Sequence, residues 1–188
     1  MALSHVGRTP AAAFVLRGGN MAYPPAGVDH FTARAEVTIA LPDGSTDTFV
    51  LAGDAEIERG TPFDSGAGRM EVPMTIRALR MRGESPLIGE VTMVEEPVGV
   101  SGYVRQLVAG QDYPAESVTF PHHAVHTGLG KFATKSEFQM RATINAIPPY
   151  GETYRLDGDP IELVPDENRS SATQVRITSV AFTVLGPP

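Results

Sequence analysis

Apolar and polar residues alternate along much of this chain, and Gly/Pro clusters break the alternation at intervals. Phe31, Ala33, Ala35, Val37 and Ile39 fall on one face of an extended segment, with Thr32, Arg34, Glu36 and Thr38 on the other. That two-residue period is the signature of a half-buried strand. After Pro42-Asp43-Gly44-Ser45, a cluster suited to a tight turn, Thr46 to Leu51 is expected to return antiparallel.

From Met70 the apolar set is Met70, Val72, Met74, Ile76 and Ala78, then changes phase to Leu79 and Met81. A bulge near Ala78-Leu79 explains the slip. Pro73 cannot donate to a ladder, so the start of that run belongs at a sheet edge or an irregularity. The last run also slips, with Val175 and Ile177 on one phase and Val180, Phe182 and Val184 on the other.

Further strands are expected at Gly89 to Glu95, Ser101 to Val108, Ser117 to Val125 and Glu137 to Ile147, the last with Phe138, Met140, Ala142, Ile144 and Ala146 inward. The sum is about eight strands. No window of helical length carries an uninterrupted i, i+3, i+4, i+7 apolar pattern, so little helix is expected. The expectation is an all-β chain, a single antiparallel β-barrel or β-sandwich, since two phase slips imply strongly coiled strands.

Residues 1–26, rich in Ala, Gly and Pro, read as a flexible N-terminal arm and 27–188 as a single β domain. The long connections are Ala55 to Gly68, Ala109 to Glu116 and Pro148 to Ser171, where functional residues most often reside. A chain of 188 residues suits one such domain.

A net charge of −7 and a pI near 5.2 argue against nucleic-acid binding, which needs a concentrated basic face. The densest basic patch, Arg69, Arg77, Arg80 and Arg82, reads as a solvated strand face. No apolar run is long enough to span a bilayer, and the segment Ala11 to Leu16 is too short for a signal-peptide core. The chain lacks cysteine, which removes thiol chemistry and fits a cytoplasmic protein without requiring it.

Pro121-His122-His123-Ala124-Val125-His126 holds three of the five histidines. On a helix His122 and His126 would stand about 5 to 6 Å apart, but on a strand they are separated by roughly 13 Å. Neighbouring Val118, Phe120 and Val125 favour the strand, so this segment alone is a poor metal site. Placed on the face of Val118 and Phe120, His122 and His126 point into a cavity as general acid/base groups; the competing placement is the wet side of an edge strand. Tyr103 and Arg141 would orient a ligand there, with Met70, Met74 and Met140 lining an adaptable wall.

Other segments carry less. Asp64-Ser65-Gly66-Ala67-Gly68 has one carboxylate where a calcium loop needs several, and neither Gly18-Gly19 nor Gly128-Leu129-Gly130-Lys131 has the spacing of a phosphate loop. No Gly-x-Ser-x-Gly elbow is present, and no motif of a known family is legible. No cofactor is implied.

Three functions fit. The first is a barrel that binds a hydrophobic small molecule, a cofactor-independent cyclase or isomerase of bacterial secondary metabolism that works by holding its substrate in a reactive shape. The second is a non-catalytic binding or protein-interaction module, with a sheet edge or face that could support a homo-oligomer. The third is a metal-dependent enzyme using His122, His123 and His126 with a loop carboxylate.

Overall fold

The computed structural model describes residues 23–95, 99–173 and 175–188. They contain no helix; thirteen strands form one antiparallel sheet. The strands are β1 (Gly27–Ala40), β2 (Thr46–Arg59), β3 (Phe63–Asp64), β4 (Met70–Ser85), β5 (Gly89–Glu95), β6 (Gly102–Val108), β7 (Gln111–Thr119), β8 (His123–Thr127), β9 (Gly130–Thr134), β10 (Gln139–Ile144), β11 (Thr153–Asp157), β12 (Ile161–Pro165) and β13 (Val175–Gly186).

Four long strands carry the architecture. β1 pairs with β2 along its full length and with β13 on its other side, while β2 pairs with β4. Apart from the short β3, which pairs with β4, the rest form two layers that bridge β4 to β13. In one layer β5, β8, β9 and β12 lead from the Arg80–Ser85 half of β4 to the Val175–Ile177 half of β13. In the other, β6, β7, β10 and β11 lead from Glu71–Met74 to Ala181–Thr183. Following either set of pairings returns to β1, so the hydrogen bonding closes on itself twice around a shared spine.

The first hairpin forms as expected. Gly44, at φ +86°, closes the turn, and the Asp43 carboxylate accepts from the backbone and hydroxyl of Ser45. Both phase slips are bulges. On β4 Ile57 faces Ile76 and Glu56 faces Ala78, which leaves Arg77 extra; on β13 Thr38 faces Ser179 and Ile39 faces Ile177, which leaves Thr178 extra. Pro73 lies where the β2 pairing ends, its carbonyl accepting from Gly60 N–H.

The strand count of about eight falls short of thirteen. Ala55 to Gly68 begins with the end of β2 and holds β3, Ala109 to Glu116 contains the start of β7, and Pro148 to Ser171 holds β11 and β12. The strand expected over Ser117 to Val125 is two, because the chain leaves one layer after Thr119 and enters the other at His123. Ala146, expected inward, is exposed. Of the N-terminal arm only its end is described: Tyr23 is fully buried against the Tyr113 ring, and Arg59 donates to the Pro25 carbonyl. The sheet wraps tightly between β2 and β4, where a Cβ on Gly53 would stand 1.9 Å from the Arg80 carbonyl oxygen and one on Gly83 2.1 Å from that of Val50. Glycine is the residue such a backbone approach admits.

Candidate functional site

The closed sheet surrounds two apolar chambers in series. One is lined by Phe31, Ala55, Met74, Leu79, Ile144 and Val184 among others, the second by Val37, Phe49, Val91, Phe132, Leu163 and Val175. His123, Met140 and Phe182 line both and form the waist between them. The space open to the centre of a water-sized sphere is about 60 Å³ in the first and 40 Å³ in the second. One water needs roughly 10–15 Å³ on that measure, so the interior is not packed solid.

The waist carries a buried polar pair. Inward positions on β5 run Val91, Met93, Glu95, and those on β8 run His123, Val125. The antiparallel register sets Glu95 directly opposite His123, the separation at which cross-strand side chains meet. Nδ1 of His123 lies 2.9 Å from Oε2 of Glu95, with the side chains only 7% and 1% exposed. The N–H is not aimed along that line, so the contact is an ion-pair distance without an aligned hydrogen bond. The other carboxylate oxygen accepts from His122 N–H at 3.1 Å, and the imidazole rests on Phe138 with ring centres 5.8 Å apart. With Nδ1 turned to the carboxylate, Nε2 is the nitrogen left for the chambers.

The histidines singled out by sequence are placed differently. His122 is partly exposed with Nε2 3.8 Å from Glu137, and His126 is exposed; neither lines a chamber. The inward phase runs through Ala115, Ser117, Thr119, Pro121, His123 and Val125, whereas Phe120 stacks on Tyr103 on the outer face. Apolar Val118 and Phe120 thus point to the wrong side, and Val125, two residues from His123, is the signal that would have found the inward histidine. Among the described residues no group of three or more His, Asp or Glu side chains could hold a metal ion.

Tyr103 and Arg141 also face outward. Arg105 sits 4.5 Å over the Tyr103 ring, and Arg141 pairs with Glu116 and Asp157. Met74 and Met140 do line the first chamber; Met70 is partly buried against the hydrophobic core and does not line it. Arg77, Arg80 and Arg82 stand on the exposed face, Arg77 paired with Glu58.

A further polar group in the first chamber was not singled out. The Tyr154 hydroxyl lies 2.9 Å from Ser117 Oγ, and burial pushes its pKa up to about 12. Burial raises Tyr23 and Tyr113 as well. A tyrosine that ionises near 10 unfolded but near 12 folded releases its proton first in the unfolded chain. Stability is therefore full below pH 10 and falls between pH 10 and 12, by about 2 to 3 kcal/mol for Tyr154. Urea midpoints taken across that range should drop steadily, and tyrosinate absorbance should rise together with unfolding; a flat profile would contradict it.

Among the described residues, no helix is long and apolar enough to cross a membrane. No family model and no curated protein matches the sequence. Among solved structures the chain is similar to DynF from the dynemicin biosynthesis pathway of Micromonospora chersina, with a TM-score of 0.77 and 20% identity over 88% of this chain and 82% of that one. The likeness is one of fold: this chain has the all-β architecture of DynF.

Proposed function

We propose that this protein is a β-barrel of secondary metabolism that encloses a hydrophobic small molecule and acts on it as a cofactor-independent cyclase or isomerase. The observation that carries the reading is the convergence of two apolar chambers on His123, which a buried carboxylate backs. Cyclisation and isomerisation can conserve atoms and electrons, so they need only a substrate held in shape and a proton removed at one carbon and returned at another. An enclosed apolar wall supplies the first, with orientation alone worth several kcal/mol of barrier. His123 supplies the second, taking the role that sequence gave to His122 and His126. The fold shared with DynF, a protein of a biosynthetic pathway, supports the assignment to secondary metabolism.

The test uses the neutral fluorophore N-phenyl-1-naphthylamine. The wild-type chain should take it up with enhanced emission, and Ala55→Phe, which puts a ring into the first chamber, should abolish uptake while keeping the fold. Equal uptake by both would place the binding elsewhere. Proton transfer is read separately, as deuterium entering a bound enolisable ketone from heavy water, which His123→Gln should slow by about 10² to 10⁴. Uptake without exchange would leave the second reading, a non-catalytic carrier.

A further inference from the structure

Two apolar inner rows end in charge at the same rim. The inward positions of β1 read Asp29, Phe31, Ala33, Ala35, Val37, Ile39, and those of β2 read Phe49, Leu51, Gly53, Ala55, Ile57, Arg59. Register sets Gly27 opposite Arg59 and Asp29 opposite Ile57, so the two charges are diagonal neighbours. Nε of Arg59 donates to Oδ2 of Asp29 at 2.7 Å and Nη2 to Oδ1 at 3.1 Å; the side chains are only 13% and 10% exposed, and both line the first chamber.

This pair is expensive as a purely structural tie, because desolvating two charges offsets much of their attraction. It also has unspent hydrogen-bonding capacity. A guanidinium has five N–H groups. Asp29 takes two and the Pro25 carbonyl takes one, so two remain, and each Asp29 oxygen can accept again. Polarity then falls along the interior. His123 stands at the waist, and beyond it, among the described residues, the second chamber offers only the hydroxyls of Thr127 and Thr134.

We infer that the ligand is an elongated amphiphile, its neutral oxygen-bearing end held by Asp29 and Arg59 and its apolar body passing His123 into the second chamber. The inference rests on the enclosed-ligand reading above. A hydroxyl suits the pair because it donates to Asp29 while accepting from Arg59. A carboxylate would meet the Asp29 charge and an ammonium the Arg59 charge. The inner row from Phe31 to Ile39 gives a path of about 26 Å along the strand, and Met140 at the waist is a side chain flexible enough to yield to a chain.

The test displaces N-phenyl-1-naphthylamine from the full chain with 1-alkanols from hexanol to hexadecanol, the matching 1-chloroalkanes and the matching carboxylates. Alkanols should bind tighter as they lengthen, and about tenfold tighter than chloroalkanes of equal length. Arg59→Lys should remove most of that difference and leave chloroalkanes unchanged; the ligand series alone decides the matter if the variant does not fold. Equal binding of alkanols and chloroalkanes, tighter binding of carboxylates, or affinity independent of length would each overturn the inference while leaving the cavity reading intact. A protein that takes up no fluorophore would overturn both.

Discussion

Replacing His123 by leucine is expected to cost about 3 to 5 kcal/mol of folding stability, far more than its size suggests. The substitution leaves the Glu95 carboxylate, whose side chain is 1% exposed, without its neighbouring imidazole. Leaving a buried carboxylate without its polar neighbour is among the most destabilising single changes a protein can suffer, whereas replacing both members of such a pair by apolar groups of similar volume is often neutral or stabilising. The Glu95→Leu/His123→Leu double variant should therefore recover most of the loss, less the cost of the His122 N–H that Glu95 now satisfies. A double-mutant cycle by urea denaturation measures the coupling directly. If the single and double variants lose stability additively, the 2.9 Å approach is only proximity. A pair retained at a stability cost is the pattern expected of a site kept for function.

The second large effect concerns Phe132, which is 2% exposed and lines the far chamber. Truncation to alanine removes a ring from a wall whose remaining members are fixed by strand pairing to β8 and β12, so the site cannot collapse around the gap. The expected cost is about 3 to 5 kcal/mol, a drop in Tm of about 6 to 20 °C for a chain of this size. The same change enlarges the second chamber without touching the Asp29–Arg59 rim. Longer or branched ligands should gain affinity relative to short ones in the same displacement assay. A loss of stability below 1 kcal/mol would mean that the far chamber is already loose.

Particular residues show what sequence could and could not give. The hairpin of β1 and β2, the extent of β5 and both bulges were legible because alternation there is carried by large apolar side chains against polar ones. The far half of β2 was not. Its inner face holds Gly53, Ala55, Ile57 and Arg59 and its outer face Asp54, Glu56 and Glu58, so a single large apolar side chain stands among small and charged ones and the segment imitates a loop. β9, β11 and β12 are five residues each, too short for a period-two pattern to stand above chance. Sequence offered Met70, Met74 and Met140 as one wall of a ligand cavity; Met74 and Met140 line the first chamber and Met70 does not. Sequence left His122 and His126 between an inward face and a wet one; the fold turns both away from the chambers and His123 inward, because a one-residue slip in phase exchanges the faces of a strand. Glu95 and the Asp29–Arg59 pair lay beyond sequence reasoning, because each depends on a cross-strand register that only the folded sheet specifies.

The pairing of β1 with β13 has a kinetic meaning. Thr32 meets Gly186 and Ala40 meets Arg176, so both circuits share a seam made of segments almost a whole described chain apart. During synthesis the β1–β2–β4 spine can assemble early, but β1 must wait with one side unpaired until β13 emerges. Contacts of such long range fold slowly, and the waiting strand is the surface most open to mispairing with another chain. Weakening the seam, for instance at Val37 opposite Val180, should therefore lower the yield of soluble protein more than it lowers the stability of molecules that have already closed.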